Sequence, residues 1–283
     1  MKDKPRYINA GGKLIDLGTP VVMGILNITP DSFYSGSRYR NDNDLLKAAA
    51  SMASEGAAII DIGAYSSRPG ASDISEEREG ERLFSALKSI HKELPEMPLS
   101  VDTFRSSIAR KAVLEFGASM INDISGGEAD TRMFAVVSEL NVPYVLMHMR
   151  GTPFNMSKNT DYDDVVADVI KWFGPKIYKL HSEAVKDIII DPGFGFAKTT
   201  DQNFEMLRRF KEFSVTGLPL MAGLSRKSTI WKTLEITPEE ALNGTSVMNT
   251  VALMNGADIL RVHDVKQAIE AIKLVNRINA EKN

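Results

Sequence analysis

Eight short apolar runs recur along the chain, and nearly every one is followed by a polar or charged residue. The runs lie at residues 21–26, 58–60, 99–101, 119–121, 144–147, 188–190, 220–222 and 258–260. Continuous runs of this length that are rich in β-branched residues are typical of strands buried on both faces of a parallel sheet. The residues that follow the runs are Asn27, Asp61, Asp102, Asn122, His148, Asp191, the segment 223–228, and Arg261 with His263. Polar side chains at the carboxyl ends of parallel strands are where an α/β barrel forms its active site.

Amphipathic stretches with helix start and stop signals separate these runs. The predicted helices lie at residues 43–55, from 75 onwards, 106–116, 130–139, 162–183, 202–212, 238–255 and 265–276. Eight strands that alternate with about eight helices predict an α/β fold, a single-domain (β/α)8 TIM barrel. A doubly wound sheet is the alternative, but neither G-x-G-x-x-G nor G-x-x-x-x-G-K-[ST] occurs in the chain.

The region before the first barrel strand predicts a small separate element. We assign residues 1–283 to one domain, in which residues 1–20 form a short N-terminal hairpin and residues 21–276 form the barrel. Gly11 and Gly12 are the predicted hairpin turn, because glycine readily adopts the positive φ angles that two-residue turns require.

Composition narrows the function classes further. A net charge of −3 gives no general basic surface, which argues against a nucleic-acid partner. The absence of cysteine excludes disulfides, thiolate metal ligands and a cysteine nucleophile. We expect a soluble cytoplasmic protein without a membrane partner, because no signal-peptide pattern is present and no apolar run approaches the ~18 residues of a membrane span.

Three of the polar residues after the strands form a candidate ligand site. Asp102, Asn122 and Asp191 follow the third, fourth and sixth runs, and Asp191 is followed by a Pro-Gly loop rather than by a helix that it could cap. Two carboxylates and an amide suit a planar heterocycle with adjacent N–H donors, such as a 2-aminopyrimidinone. A divalent metal is the alternative, because these are also hard oxygen ligands.

A second set of residues suggests an anion site. Arg261 and His263 share one face of the last strand, and Asn27 ends the neighbouring first strand, where it could also contact Mg²⁺. The segment 223–228 carries a glycine, two serines and a lysine that suit an anion, although a solvated basic loop would look the same. His148 fits a buried structural histidine. Met147 and Phe196 fit either the core or the lining of a flat ring.

Nine motifs in order resemble the dihydropteroate synthases, the folate-pathway family of pterin-binding enzymes that sulfonamides block. The motifs are GILNITPDSF (24–33), IIDIG with SSRPGA (59–71), SVDTF (100–104), INDISGG (121–127), LMHMRGTP (146–153), DPGFGFAKT (191–199), AGLSRKS (222–228), NGTSV (243–247) and RVHDV (261–265). The resemblance covers the chain from about residue 22 to residue 272.

This resemblance implies a reaction and a role for each matching residue. The family joins 6-hydroxymethyl-7,8-dihydropterin pyrophosphate to p-aminobenzoate, which gives 7,8-dihydropteroate and pyrophosphate, with Mg²⁺ and by an SN1-like path. The implied pterin ligands are Asp102, Asn122, Asp191 and Lys227, with Met147, Phe196 and Gly223 shaping the slot. The implied pyrophosphate ligands are Asn27, Arg261 and His263, of which Asn27 would also contact Mg²⁺. Ser67, Arg68 and Ser228 would bind p-aminobenzoate, and Asp102, Lys227, Arg261 and His263 would be catalytic. The resemblance also implies a homodimer formed through the last helices.

One position departs from the family pattern, and two other functions stay open. The second long loop of the family usually has an acidic or amide residue where this chain has Tyr65. A methyltetrahydrofolate-binding methyltransferase shares the barrel, but it needs neither the pyrophosphate residues nor the SRKS loop. A non-catalytic pterin-binding paralogue is the other alternative, although such proteins commonly lose anion-site residues that this chain keeps.

Overall fold

Eight parallel strands form a closed barrel, and a two-stranded antiparallel hairpin precedes it. The computed structural model describes residues 7–28, 42–66 and 73–280. The strands are β1 (Tyr7–Ala10), β2 (Lys13–Asp16), β3 (Val21–Asn27), β4 (Ile59–Gly63), β5 (Leu99–Asp102), β6 (Met120–Asp123), β7 (Tyr144–Met147), β8 (Ile188–Asp191), β9 (Met221–Ala222) and β10 (Ile259–Val262). Their order is β8-β7-β6-β5-β4-β3-β10-β9, and a parallel bridge from Ile190 to Leu220 closes the ring between β8 and β9. The predicted TIM barrel is confirmed.

Helices surround the barrel on its outer face. They are α1 (Asp42–Glu55), α2 (Glu76–Glu93), α3 (Ser106–Phe116), α4 (Met133–Leu140), α5 (Val165–Ser182), α6 (Thr200–Arg208), α7 (Ser228–Leu234), α8 (Leu242–Met254) and α9 (Val265–Asn279). Two 3₁₀ helices lie at Met156–Lys158 and Phe210–Thr216. Across the described parts of the chain, no helix combines the length and the apolar character needed to cross a bilayer.

The hairpin closes the amino-terminal end of the barrel. Ile8 of β1 pairs with Ile15 of β2, and both pack against the inward-facing floor of the barrel. That floor consists of Met23, Ile59, Met120, Val145, Ile189, Met221 and Ile259. Gly11 and Gly12 form the predicted turn with φ angles of 63° and 92°, as a two-residue hairpin turn requires. The barrel interior is therefore filled from below by apolar side chains, which leaves its other end for polar groups.

Six of the eight barrel strands extend past the carboxyl ends of the apolar runs that predicted them, whereas β7 and β9 end where their runs end. β4 continues through Asp61 to Gly63, β5 includes Asp102, β6 includes Asn122, and β10 includes Arg261. These residues keep the parallel pairing of the sheet, as in Gly63 opposite Asp102 and Asp102 opposite Asn122. A polar residue indicates where its side chain faces. It does not end the strand, because the backbone hydrogen bonds between strands continue beyond it. Asn27, Asp102 and Asp191 therefore end their strands, and β4, β6 and β10 continue beyond the first polar residue.

Several helix ends also differ from the prediction. α4, α5 and α8 begin later than the predicted starts at residues 130, 162 and 238. In two of them an aspartate forms the turn before the helix: Asp130 accepts the Arg132 N–H at 3.0 Å, and Asp164 accepts the Val166 N–H at 2.9 Å. α6 ends at Arg208, and the 3₁₀ helix replaces the rest of the predicted segment 202–212.

The turn that follows β8 contains a glycine that no other residue could replace without strain. Gly193 has a φ of 74°, and a Cβ atom there would lie 2.0 Å from the carbonyl oxygen of His148. Gly217 has a similar φ of 70°, but an added Cβ atom would meet nothing within 4 Å. The two positions therefore separate backbone strain from steric overlap.

Gly193→Ala is expected to lower the free energy of unfolding by more than about 3 kcal/mol, because left-handed strain of roughly 1–2 kcal/mol is added to a core overlap. Gly217→Ala is expected to cost only about 1 kcal/mol, from strain alone. Urea unfolding of both variants at one pH measures the difference. Equal losses in the two variants would contradict the overlap at Gly193.

Candidate active site

Alternation along the strands turns the predicted polar residues toward the barrel interior. Ile59, Met120, Ile189 and Ile259 face the apolar floor, and the residue two positions later in each of the four strands faces the same side one layer higher. Those later residues are Asp61, Asn122, Asp191 and Arg261. A polar layer therefore lies directly above the apolar floor at the carboxyl ends of the strands.

Arg261 links two carboxylates across the mouth of the barrel. Its Nε donates to Asp61 Oδ2 at 2.7 Å, and one terminal nitrogen lies 2.6 Å from the same oxygen and 2.8 Å from Asp102 Oδ2. Asn122 Nδ2 also donates to Asp61 Oδ2, at 2.9 Å. Arg261, a predicted pyrophosphate ligand, therefore contacts the predicted pterin ligand Asp102 directly. It is linked to a second predicted pterin ligand, Asn122, through Asp61.

Charges in this network shift the protonation of its members. Burial raises the pKa of Asp102 to about 7, although the Arg261 guanidinium opposes the shift. Burial also opposes the positive charge of Arg261, but the carboxylates of Asp61 and Asp102 more than compensate and raise its pKa. Arg261 therefore stays charged, and Asp102 can change protonation near neutral pH.

Asp191 and Lys227 form the opposite side of the mouth. Asp191 Oδ1 accepts the Gly193 N–H at 2.8 Å, and Lys227 Nζ donates to the Phe194 carbonyl. A Cβ atom on Gly223 would lie 3.8 Å from both Asp191 Oδ2 and Lys227 Nζ, so the glycine leaves the space between them open. Burial lowers the pKa of Lys227 to about 8, and the negative charge of Asp191 opposes that shift.

An apolar wall completes this side of the site. Lys227 Nζ lies 4.8 Å from the centroid of the Phe196 ring, a cation–π distance. Met147 is buried in a cluster with Ile124, Met149, Met156 and Ala197, and Phe196 packs at the edge of that cluster. Met147 and Phe196 therefore lie in one cluster that Lys227 adjoins, as a slot for a flat ring requires.

The loop after β9 is tied to the end of β10. Ser225 Oγ lies 3.0 Å from His263 Nδ1 and accepts the His263 N–H at 3.2 Å. Arg226 pairs with both oxygens of Asp264 at 2.9 Å and donates to the carbonyls of Pro238 and Glu239 at 2.9 and 2.7 Å. Arg226 thus fixes the loop that presents Lys227 instead of pointing into the mouth.

The remaining predicted site residues fall in three groups. Ser228 is the first residue of α7, and Lys227 is its N-terminal cap. Ser67 and Arg68 lie outside the described residues. His148 is buried and its pKa falls to about 2, first through burial and then through nearby Lys198, so a neutral structural histidine agrees with its surroundings.

The carboxylates at this end of the barrel do not form a metal-binding cluster among the described residues. Within residues 7–28, 42–66 and 73–280, no group of three or more His, Asp or Glu side chains could hold an ion. Asn27 ends β3, and its Oδ1 lies 3.3 Å from where a Cβ atom of Gly63 would be. A single amide oxygen fits Mg²⁺, which keeps waters and substrate phosphates among its ligands. The donor set fits an ion that arrives with a phosphate group.

Asp61 is the member of this network that sequence reasoning missed, because it was assigned to neither the ligand site nor the anion site. Its side chain is fully buried, yet it contacts both Arg261 and Asn122. Asp61 Oδ1 and Asn122 Oδ1 have no hydrogen-bond partner within the part of the chain that the structure describes. Its position two residues after Ile59, on the inward face, was the signal that could have identified it.

Comparisons with known proteins agree with this geometry. The family model for pterin binding enzymes matches residues 23–263. The chain belongs to the pterin binding enzymes. A dihydropteroate synthase of Escherichia coli K12 is 39% identical over 277 residues, which cover 97% of each chain. The Bacillus subtilis dihydropteroate synthase is 42% identical over 90% of this chain and 87% of its own.

Solved structures of the same family superpose closely. A Yersinia pestis dihydropteroate synthase with a sulfonamide drug has a TM-score of 0.92 and 35% identity, over 97% of this chain and 100% of its own. A Xanthomonas albilineans dihydropteroate synthase with 4-aminobenzoic acid has a TM-score of 0.89 and 34% identity, over 98% of this chain and 99% of its own. The barrel is therefore that of this pterin binding family.

Arg261→Met is expected to lower the free energy of unfolding by about 3 kcal/mol at pH 8, because it leaves Asp61 and Asp102 buried without a counter-charge. The loss should shrink toward pH 5. The pKa of Asp102 is raised to about 7 in the folded chain. Below that pH, Asp102 is protonated with or without Arg261, so the variant leaves one fewer buried negative charge without a counter-charge. Urea unfolding at both pH values measures this dependence.

Arg209→Met is the matched control for that experiment. Arg209 also pairs with three carboxylates, those of Asp164, Glu205 and Glu212, but they lie at the surface. We expect a loss of about 1 kcal/mol or less. If Arg261→Met costs no more than this control at pH 8, the buried charge network does not stabilise the barrel.

Proposed function

We propose that this chain catalyses the dihydropteroate synthase reaction, the condensation of 6-hydroxymethyl-7,8-dihydropterin pyrophosphate with p-aminobenzoate. The supporting observation is the polar layer above the apolar floor, in which Asp102, Asn122 and Asp191 share one mouth with Lys227 and Arg261. The curated relatives described above carry this activity in their names, at 39% and 42% identity over nearly the whole chain. Neither a methyltransferase nor a non-catalytic role is favoured by any feature of the mouth.

The pterin would be held at the side of the mouth that runs from β5 through β8 to β9. Asn122 and the carboxylates of Asp102 and Asp191 supply acceptors for the N–H groups of a 2-aminopyrimidinone, and Lys227 supplies a donor for its oxygen. Met147 and Phe196 would line the ring, and Gly223 would let it approach the backbone between Asp191 and Lys227.

Pyrophosphate would leave from the opposite side of the mouth. Arg261 and His263 would meet its negative charge, and Asn27 would contribute an oxygen ligand to Mg²⁺. When bound, the magnesium ion would neutralise part of the charge that develops on the leaving group. Arg261 uses Nε and one terminal nitrogen for Asp61 and Asp102, so its other terminal nitrogen would meet the anion.

The chemistry requires charge stabilisation more than a base. The bond between the pterin methylene carbon and the pyrophosphate oxygen breaks first, and the electron pair leaves with pyrophosphate. The cation spreads into the dihydropterin ring, where the Asp102 carboxylate stabilises it. The neutral amine of p-aminobenzoate then attacks the methylene carbon, and its surplus proton passes to water. Ser67, Arg68 and Ser228 would hold p-aminobenzoate during this step.

We also propose that the chain works as a homodimer in the cytoplasm, in agreement with its lack of cysteine. Val247, Val251 and Met254 form an exposed apolar stripe on α8, and Leu274 and Ile278 form another on the neighbouring α9. Apolar side chains at such helical spacing on one face are typical of a surface that packs against another protein. The proposal requires a mass in solution of two chains.

Pyrophosphate release in the presence of the dihydropterin pyrophosphate, Mg²⁺ and p-aminobenzoate tests the reaction. We expect turnover that depends on p-aminobenzoate, because without the amine the cation has no productive nucleophile. A coupled phosphate assay with and without p-aminobenzoate measures it. A chain that binds the pterin but releases no pyrophosphate with both substrates present would refute the synthase and favour the non-catalytic paralogue.

Binding of 7,8-dihydropterin without pyrophosphate is expected to be strongest between about pH 7 and pH 8. Below this range Asp102, with a pKa of about 7, gains a proton and loses its acceptor charge, and above it Lys227, with a pKa of about 8, loses its proton. Lys227→Met should weaken binding about tenfold or more at pH 7.5, since a charged hydrogen bond is lost. It should also abolish the decline above pH 8.

Calorimetry across this pH range compares the unsubstituted chain with Lys227→Met, so the ligand's own ionisation cancels. Lys179→Met, on the outer face of α5, is the control and should bind as the unsubstituted chain does. An alkaline decline that survives in Lys227→Met would remove Lys227 from the pterin site.

A further inference from the structure

Lys198 is a buried lysine that the proposed reaction does not use. Its Nζ lies 2.9 Å from His148 Nδ1 and donates to the carbonyls of Gly193 and Phe196 at 3.1 and 3.0 Å. With the Nε2–H tautomer of His148, these three groups are acceptors for the three N–H groups of a charged Lys198. The side chain is almost fully buried.

The contacts of Lys198 join two elements of the candidate site. His148 directly follows β7, whereas Gly193 and Phe196 lie in the turn after β8. That turn carries the groups of the pterin side: the Gly193 N–H binds Asp191, and the Phe194 carbonyl accepts from Lys227. The Lys198 side chain therefore holds one face of the turn. The opposite face of the turn lies toward the proposed pterin site.

The turn has little freedom to compensate if this support is lost. A Cβ atom on Gly193 would lie 2.0 Å from the His148 carbonyl oxygen, so the turn already packs against the end of β7. On the opposite face, a Cβ atom on Gly195 would lie 3.1 Å from Lys227 Cδ. Lys198 and Lys227 thus hold the two faces of one tightly packed turn.

We propose that Lys198 is a positioning residue for the pterin side of the mouth, which holds the Gly193–Phe196 turn so that Asp191, Phe196 and Lys227 keep the geometry that binds the ring. This inference rests on the proposed function. Lys198 itself would touch no substrate, because its donors are all used within the protein. Its influence should therefore be confined to the pterin and should not extend to p-aminobenzoate.

The charges around Lys198 agree with this role. Burial lowers the pKa of Lys198 well below its usual value, and the Asp191 carboxylate opposes that shift. Burial raises the pKa of Asp191, and the positive charges of Lys227 and Lys198 oppose that rise. The two lysines together favour the charged form of the carboxylate that would bind the pterin.

Lys198→Met tests the proposal, because it keeps an unbranched chain of similar length and removes the donors. We expect the KM for the dihydropterin pyrophosphate to rise about tenfold or more, since displaced binding groups have effects of this size. The KM for p-aminobenzoate, measured at saturating pterin substrate, should rise much less, because Ser67 and Arg68 follow β4 in the chain and only Ser228 adjoins Lys227. Steady-state kinetics with each substrate varied in turn measures the two constants.

Two further comparisons separate positioning from stability. Ile90→Val removes one methylene from a fully buried residue of α2 and should lower the melting temperature without changing either KM. His148→Asn retains an acceptor near the place of Nδ1 and should keep the pterin KM close to that of the unsubstituted chain, whereas His148→Leu should raise it. The histidine pair keeps the proposal testable if Lys198→Met fails to fold.

Calorimetry with 7,8-dihydropterin provides a reading that needs no turnover. If the unsubstituted chain binds the pterin but has no synthase activity, the proposed function fails while weaker binding by Lys198→Met still supports the positioning role. Unchanged pterin affinity in folded Lys198→Met would overturn the inference. An equal rise of both KM values would also overturn it, because that result indicates a general structural effect.

Discussion

The guanidinium of Arg261 compensates two carboxylates that the barrel encloses. Asp61 has no exposed surface, and an isolated buried carboxylate would be costly, so its contacts with Arg261 at 2.6–2.7 Å are a condition for closing the barrel around it. The same guanidinium reaches Asp102, and the same carboxylate orients Asn122. The contacts that compensate the buried charge of Asp61 therefore also hold Asp102 and Asn122 in place for a ligand. An anionic ligand that binds Arg261 competes with Asp61 and Asp102 for a single cation.

The two ends of the barrel carry separate tasks, and the hairpin makes this separation possible. Ile8 and Ile15 seal the lower end against apolar inward-facing residues, so no polar group is needed there. Every inward position above that floor can then be polar, because the mouth opens to ligand and solvent. Site residues on strands such as β6 and β8 are also held more precisely than residues on loops would be. The apolar floor below the polar layer contributes to the stability of the barrel, and the polar layer supplies the groups that would bind ligand.

Local patterns in the sequence were sufficient for the barrel, the hairpin and most inward-facing polar residues. Asp102, Asn122 and Asp191 could be selected because a polar residue at the end of an apolar strand is a local signal. Asp61 gave the same signal, but its importance depends on Arg261, which lies 200 positions away. Lys198 likewise depends on His148, 50 positions away. Spacing along one strand cannot encode such pairs, and helix starts were misplaced where an aspartate side chain formed a turn before the helix.

The two sides of the mouth differ in how far they are organised before a ligand arrives. On the pterin side, Lys198 and Lys227 bind opposite faces of the turn after β8, and its glycines are required because a Cβ atom on Gly193 would overlap the end of β7. A glycine-rich segment that is held in this way is rigid, so little ordering opposes binding of a flat ring. On the other side, Arg261 uses Nε and one terminal nitrogen for Asp61 and Asp102, and its other terminal nitrogen would meet an anion. The pterin side is therefore held by contacts on both faces of the turn, whereas the anion side keeps one donor group of the guanidinium for the group that leaves.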